Sequence, residues 1–170
     1  MFDVTTLVGF HTWLSLIAIA SGVVVVVGLL RSRTMTGWSD LFLATAFGTS
    51  ATGFLFPFNG LLPSHITGMV ALLVLALTGP ARYSCHLEGA WRWIYAAGVV
   101  ASLYLLVFVG VAQAFGKIPA LHALAPTQSE APFAIAQLVV LVLFIVLGIK
   151  AARAFHPPET LPDLRPAGFH

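Results

Sequence analysis

Leu7–Leu30 reads LVGFHTWLSLIAIASGVVVVVGLL, 24 residues with no Asp, Glu, Lys or Arg, and it stops at Arg31-Ser32-Arg33. At about 1.5 Å of rise per residue, a helix of this length covers roughly 36 Å, more than the ~30 Å hydrocarbon core of a bilayer. The rest of the chain has the same character. Of 170 residues, 59% are hydrophobic and 8% are charged, about a third of the charged share of an ordinary soluble domain. So few charges would leave large apolar patches facing water, which excludes a soluble globular domain, and the high hydrophobicity excludes a disordered chain. The sequence is that of an all-α integral membrane protein.

Outward from the first span, four more apolar stretches follow at about 41–58, 63–79, 93–115 and 132–149. The second carries Thr45, Thr49, Ser50 and Thr52, hydroxyls that a spanning helix tolerates because they bond back to its own carbonyls. Pro63 and Pro132 suit first helical turns, and Gly79-Pro80 suits the end of the third span. These limits predict one bundle of five transmembrane helices over residues 1–155 and an irregular tail over 156–170. The basic residues agree with that division. Arg31, Arg33, Arg82, Arg92, Lys150, Arg153 and Arg165 fall on one side and only Lys117 on the other. The positive-inside rule then places the N-terminus outside, the C-terminus in the cytoplasm, and the chain in a bacterial inner membrane. Met1 to Thr6 lacks a basic segment and contains Asp3, so the first span is expected to be retained rather than cleaved. Trp38, Trp91 and Trp93 fall at the proposed cytoplasmic surface, and Trp13, Phe56 and Phe58 near the outer one, as interfacial rings prefer.

The single cysteine, Cys85, excludes an intramolecular disulfide and any cysteine-cluster metal site. A net charge of +2 with no basic run beyond Arg31-Ser32-Arg33 excludes a nucleic-acid partner. Cys85 beside His86 lacks the ordered base and oxyanion donors of a nucleophilic site. Arg82 and Arg92 read as topology determinants that touch anionic headgroups. His86, His156 and His170 read as solvated, with a metal site from His86 and His156 as the remote alternative.

The polar residues at membrane depth are the candidates for function. His11 and His65 lie in the first turns of spans one and three, Gln113 ends span four, and Gln137 is six residues into span five. The outer loop 116–131 (GKIPALHALAPTQSEA), broken by Pro119 and Pro126, can bring His122 and Glu130 to the same layer. On span one, His11, Ser15, Ala18 and Gly22 form one stripe, and Gly68 lies one turn from His65. Ala44, Gly48 and Thr52 form a third stripe of small residues, and all three are expected to face into the bundle. Two inward imidazoles with small neighbours are what a six-coordinate haem needs, one lone pair for each face of the iron. A non-haem metal on His11, His65 and His122 is a further option. The plain alternative is that each histidine meets water or a loop carbonyl at the headgroup boundary.

The segments FHTWLSLIAIASG (10–22), FPFNGLLPSHITG (56–68) and LHALAPTQSEAPF (121–133) resemble those of uncharacterised small bacterial integral-membrane proteins. Span-embedded His11 and His65, with Gly22 and Gly68 nearby, resemble the small b-type membrane cytochromes, which clamp haem between helices. The resemblance implies a cofactor, haem b, near the outer surface, and electron transport as the activity. It departs from the cytochromes in one respect: they commonly carry a second histidine pair at the opposite side, and the five spans here offer none. A single haem could exchange electrons at one surface but could not carry them across.

Three functions follow as expectations. The first is a one-haem redox protein whose Gln113, Glu130 or Gln137 contacts a quinone. The second is a non-catalytic accessory subunit of a larger membrane complex, with its polar layer serving as glue between helices. The third is a small transporter, disfavoured because no Asp, Glu, Lys or Arg falls within the predicted spans.

Overall fold

A computed structural model describes Asp3, residues 5–56 and residues 63–156. The described residues are helical throughout, with no strand: α1 (Leu7–Leu30), α2 (Thr36–Gly53), α3 (Pro63–Tyr83), α4 (Trp91–Lys117), α5 (Pro119–Leu124) and α6 (Ala131–Ala154). Phe58 and the expected tail after His156 lie outside the described residues. Four helices, α1, α3, α4 and α6, are long and apolar enough to cross a membrane. The 18-residue α2 runs alongside them but is more polar.

Three helices differ from the sequence reading by four residues or more, α6 among them, since it runs on to Ala154 rather than to 149. Helix α2 covers Thr36–Gly53 rather than 41–58, and its earlier start takes in Asp40, which an ion pair with Arg82 accommodates inside the helix. Helix α3 continues through Gly79-Pro80 to Tyr83. A proline removes one donor from the ladder but does not end a helix that is packed against neighbours. Asp40 and Arg82 therefore lie within helices, where no charge was expected. Between α4 and α6, the segment expected as a loop holds the six-residue α5, with Pro119 in its first turn.

The long helices alternate in direction. Leu14 lies beside Gly48 and Gly22 beside Phe42, while His11 meets Thr52, so α1 and α2 are antiparallel along their whole length. Phe54 on Gly68 and Asp40 on Arg82 pair α2 with α3 in the same way. Helix α4 packs on α3 and α1, closing a ring in which α1 and α3 stand diagonally, and α6 covers the edge made by α4 and α1. One end of the bundle gathers Arg31, Arg33, Arg82, Arg92, Lys150 and Arg153 (the basic end). The other carries His11, His65 and Lys117 (the histidine end).

Lipid tails are as apolar as the core, so burial alone does not drive such helices together. Close backbone approach and dispersion do. A Cβ at Gly22 would come 2.7 Å from the Phe42 ring and 2.9 Å from Leu103, so glycine there lets α1, α2 and α4 meet. Thr78 seats its side chain on the Gly98 backbone and joins α3 to α4. Ala18, Val25, Leu29, Phe42, Tyr95, Val99 and Leu103 complete the core. The stripe of α1 from His11 through Ala18 and Gly22 turns inward as its spacing predicts. The α2 stripe needs a correction: Ala44 is exposed and Gly48 and Thr52 are half-buried, while Ser39, Phe42, Leu43, Thr45, Ala46 and Thr49 form the buried face. Phe42 fills the notch at Gly22, and this contact sets the rotation of α2. Helix α6 buries only Ala151 of its 24 residues.

Candidate functional site at the histidine end

His11 sits in the second turn of α1, behind an N-terminus capped by Thr6, whose hydroxyl accepts from the Gly9 amide at 3.1 Å. Its Nδ1 lies 2.9 Å from Thr52 Oγ1 on α2. The Thr52 hydroxyl donates to the Gly48 carbonyl at 2.7 Å. With its one hydrogen spent there, the Thr52 oxygen accepts from the imidazole, so Nδ1 carries the proton and Nε2 keeps its lone pair. Phe56 meets the His11 ring edge-on, with centroids 5.3 Å apart at 85°. Gly53 leaves room beside Cε1.

His65, in the first turn of α3, is 5% exposed. The Phe54 ring lies against it at 6.0 Å between centroids, tilted by 40°. The same phenylalanine rests on Gly68, where an added Cβ would come within 3.2 Å of the ring. The small neighbour expected for His65 thus makes room for an aromatic side chain. Both histidines meet one short segment, residues 52–56, although their own helices are diagonal rather than adjacent. His11 takes Thr52 and Phe56, and His65 takes Phe54.

The remaining candidates are spread around this end. Gln113 is exposed on α4, and His122 is exposed on α5, which packs on α4. Glu130 precedes α6 and organises the loop. Its carboxylate accepts from the Thr127 amide at 3.2 Å, the Thr127 hydroxyl at 2.9 Å and the Ser129 amide at 3.1 Å. Desolvation pushes the Glu130 carboxyl up, but its own backbone amide, followed by the Thr127 and Ser129 donors, outweighs it and holds the group below its ordinary value. Gln128, at a φ of 59°, reaches across Gly116 to donate to the Ala112 carbonyl at 2.9 Å. Gln137 donates to the Phe108 carbonyl at 3.1 Å, tying α6 to α4, while its Oε1 is buried without a protein partner. Among the described residues, no three His, Cys, Asp or Glu side chains gather as metal ligands.

The basic end holds a second polar cluster that the sequence reading did not assemble. Arg82 Nη2 lies 3.1 Å from Asp40 Oδ1, with the arginine side chain 8% exposed and the aspartate 48%. Arg82 Nη2 also donates to the Thr36 carbonyl at 3.2 Å. Tyr83 donates to Asp40 at 2.7 Å, and Tyr95 to the Ser39 hydroxyl at 2.8 Å. The guanidinium lies 5.4 and 5.9 Å from the Tyr83 and Tyr95 ring centres. Expected to reach headgroups, Arg82 is instead the hub that joins α2, α3 and α4. The 42-residue gap between Asp40 and Arg82 carries no periodic signal. The only hint was a carboxylate at the edge of an apolar run.

No family model, curated protein or solved structure is significantly similar to this chain.

Proposed function

We propose that the chain is a non-catalytic membrane subunit that works by packing, with five spans, its N-terminus outside and its basic end in the cytoplasm. One observation carries the reading: the polar side chains within the spans bond to neighbouring helices of the same bundle. His11 joins α1 to α2, Arg82 and Asp40 join α3 to α2, Tyr95 joins α4 to α2, and Gln137 joins α6 to α4. Groups used in this way give a bundle its register and hold its shape. The gathering of six basic residues at one end supports the orientation.

The surface through which the subunit packs is the outward face of α6, and its partner is an apolar spanning helix of another chain. Ile135, Leu138, Val142, Ile145 and Ile149 are each about half exposed or more. They alternate three and four residues apart, the spacing of a left-handed helix–helix seam, and all but Leu138 are β-branched. Photo-crosslinking from Val142 in native membranes should give one discrete adduct, and the same probe at Leu73 on α3 should not. A diffuse smear at both positions would count against a dedicated partner.

A second reading, a b-type haem or another imidazole ligand at His11, is favoured by the Thr52 contact. Metal-binding histidines commonly donate their second ring N–H to a fixed acceptor, as Nδ1 of His11 does, leaving Nε2 to coordinate. In this reading Phe54 and Phe56 would move aside, and His65 would supply the opposite ligand. A Soret band that His11→Ala abolishes, and that His86→Ala leaves unchanged, would establish it.

A further inference from the structure

With Arg82 held by Asp40, other basic groups at this end remain available for ligands. The start of α4 and the end of α6 enclose a cleft of about 370 Å³, lined by Trp93, Ala152, Arg153 and His156. Its walls are fixed. Ser32, after α1, accepts from the His156 amide at 2.8 Å and donates to the His156 carbonyl at 2.7 Å, anchoring the exit of α6. Tyr95 packs on Phe155 with ring centroids 5.9 Å apart. His156 Nδ1 lies 3.1 Å from the Ala154 carbonyl, which can only accept, so Nδ1 carries the proton and Nε2 is uncommitted. The Arg92 guanidinium sits 5.3 Å from the Trp93 ring centre, and its Nε has no protein partner. Arg153 is an exposed cation in the last turn of α6.

We propose that this cleft binds the phosphate of an anionic phospholipid headgroup. Arg153 would supply the charged contact, and Arg92 would add positive potential through the Trp93 wall. The indole of Trp93 would mark the headgroup level, and the apolar flank at Ala152 would take the first part of an acyl chain. A guanidinium suits the two free oxygens of a phosphodiester, because its donors are set in a planar fork. The location favours a lipid over a soluble ligand: interfacial tryptophan and arginine at the end of an apolar helix meet headgroups and acyl chains together.

The test uses the full chain with Trp13→Phe, Trp38→Phe and Trp91→Phe, so that Trp93 alone reports. It is reconstituted in phosphatidylcholine vesicles containing phosphatidylglycerol brominated near the headgroup. Brominated phosphatidylglycerol should quench Trp93 well beyond the same fraction of brominated phosphatidylcholine. Arg153→Gln should weaken that preference about fivefold, the effect of one basic side chain at a membrane surface. Arg33→Gln makes the same change in charge at the same end but outside the cleft, and should alter it less than about twofold. Equal quenching by the two lipids, or equal loss in the two variants, would overturn the site. Inorganic phosphate that protects Trp93 as well as unlabelled phosphatidylglycerol would assign the cleft to a soluble phosphate and overturn the lipid assignment.

Discussion

The two ends of the bundle use their polar residues differently. In the Arg82 cluster at the basic end they satisfy one another: Asp40 takes Arg82 and Tyr83, and Tyr95 takes Ser39. At the histidine end, His11 and Gln137 are each held by a single hydrogen bond that leaves an acceptor over, the Nε2 lone pair of His11 and the buried Oε1 of Gln137. The comparison separates two ways of placing polar groups in an apolar medium. A closed network fixes helix positions at the cost of desolvating its members. A ring anchored at one nitrogen holds its place and stays chemically open. Losses should therefore be large and structural at the basic end, and small at the histidine end.

The sharpest structural loss is expected at the notch both ends depend on. Gly22→Leu drives a branched side chain into Phe42 and Leu103 and should cost about 2–4 kcal/mol, read as loss of folded yield in detergent. Gly48→Leu should cost less, because the nearest side chain, Leu14, sits at ordinary contact distance, 3.4 Å. Equal losses would mean that α2 does not pack as described. Next is Asp40→Ala, which strands the buried Arg82 guanidinium and should cost about 2 kcal/mol in thermal melts. Asp40→Ala with Arg82→Met should recover most of it, and a double variant no better than the single one would show that the pair does not couple.

At the histidine end the effects shrink. Thr52→Val removes the acceptor of His11 and should cost about 1 kcal/mol. A cost as large as that of Asp40→Ala would erase the contrast between the ends. Gln137→Leu should be close to neutral, because the lost bond to Phe108 is offset by relief of the unpaired Oε1. The smallest effect is a titration. The depressed Glu130 carboxyl contributes order to the 127–130 loop above its ordinary value of 4.5, and that order is lost as pH falls through its folded value. The protection factors of the Thr127 and Ser129 amides, corrected for the intrinsic pH dependence of exchange, should fall there and stay level between pH 6 and 8.

Much of the fold was legible because lipid imposes simple rules. Apolar length located α1 and α4 to within two residues and the start of α6 to within one, and the inward stripe of α1 followed from its spacing. Helix α2 was misplaced by five residues at each end, and at its start the reason is electrostatic. A carboxylate reads as a boundary in sequence, whereas Asp40 enters the helix because a partner 42 residues later neutralises it. The rotation of α2 was also hidden, since small residues mark two of its faces and only the fit of Phe42 into Gly22 selects one. For the candidate site, the depth of His11 and His65 was readable from position. Their engagement with Thr52, Phe54 and Phe56 was not, because it depends on where the end of α2 lies between two helices that do not adjoin.

The most direct test of the packing account is the visible absorption spectrum of the full chain purified from cells grown with ample haem. If the in-span polar groups serve as ties between helices, the protein is colourless, and Thr52→Val lowers stability without creating or removing any band. A Soret band with the split visible bands of low-spin b-type haem, lost in both His11→Ala and His65→Ala, would contradict the account and make the histidine end a redox centre.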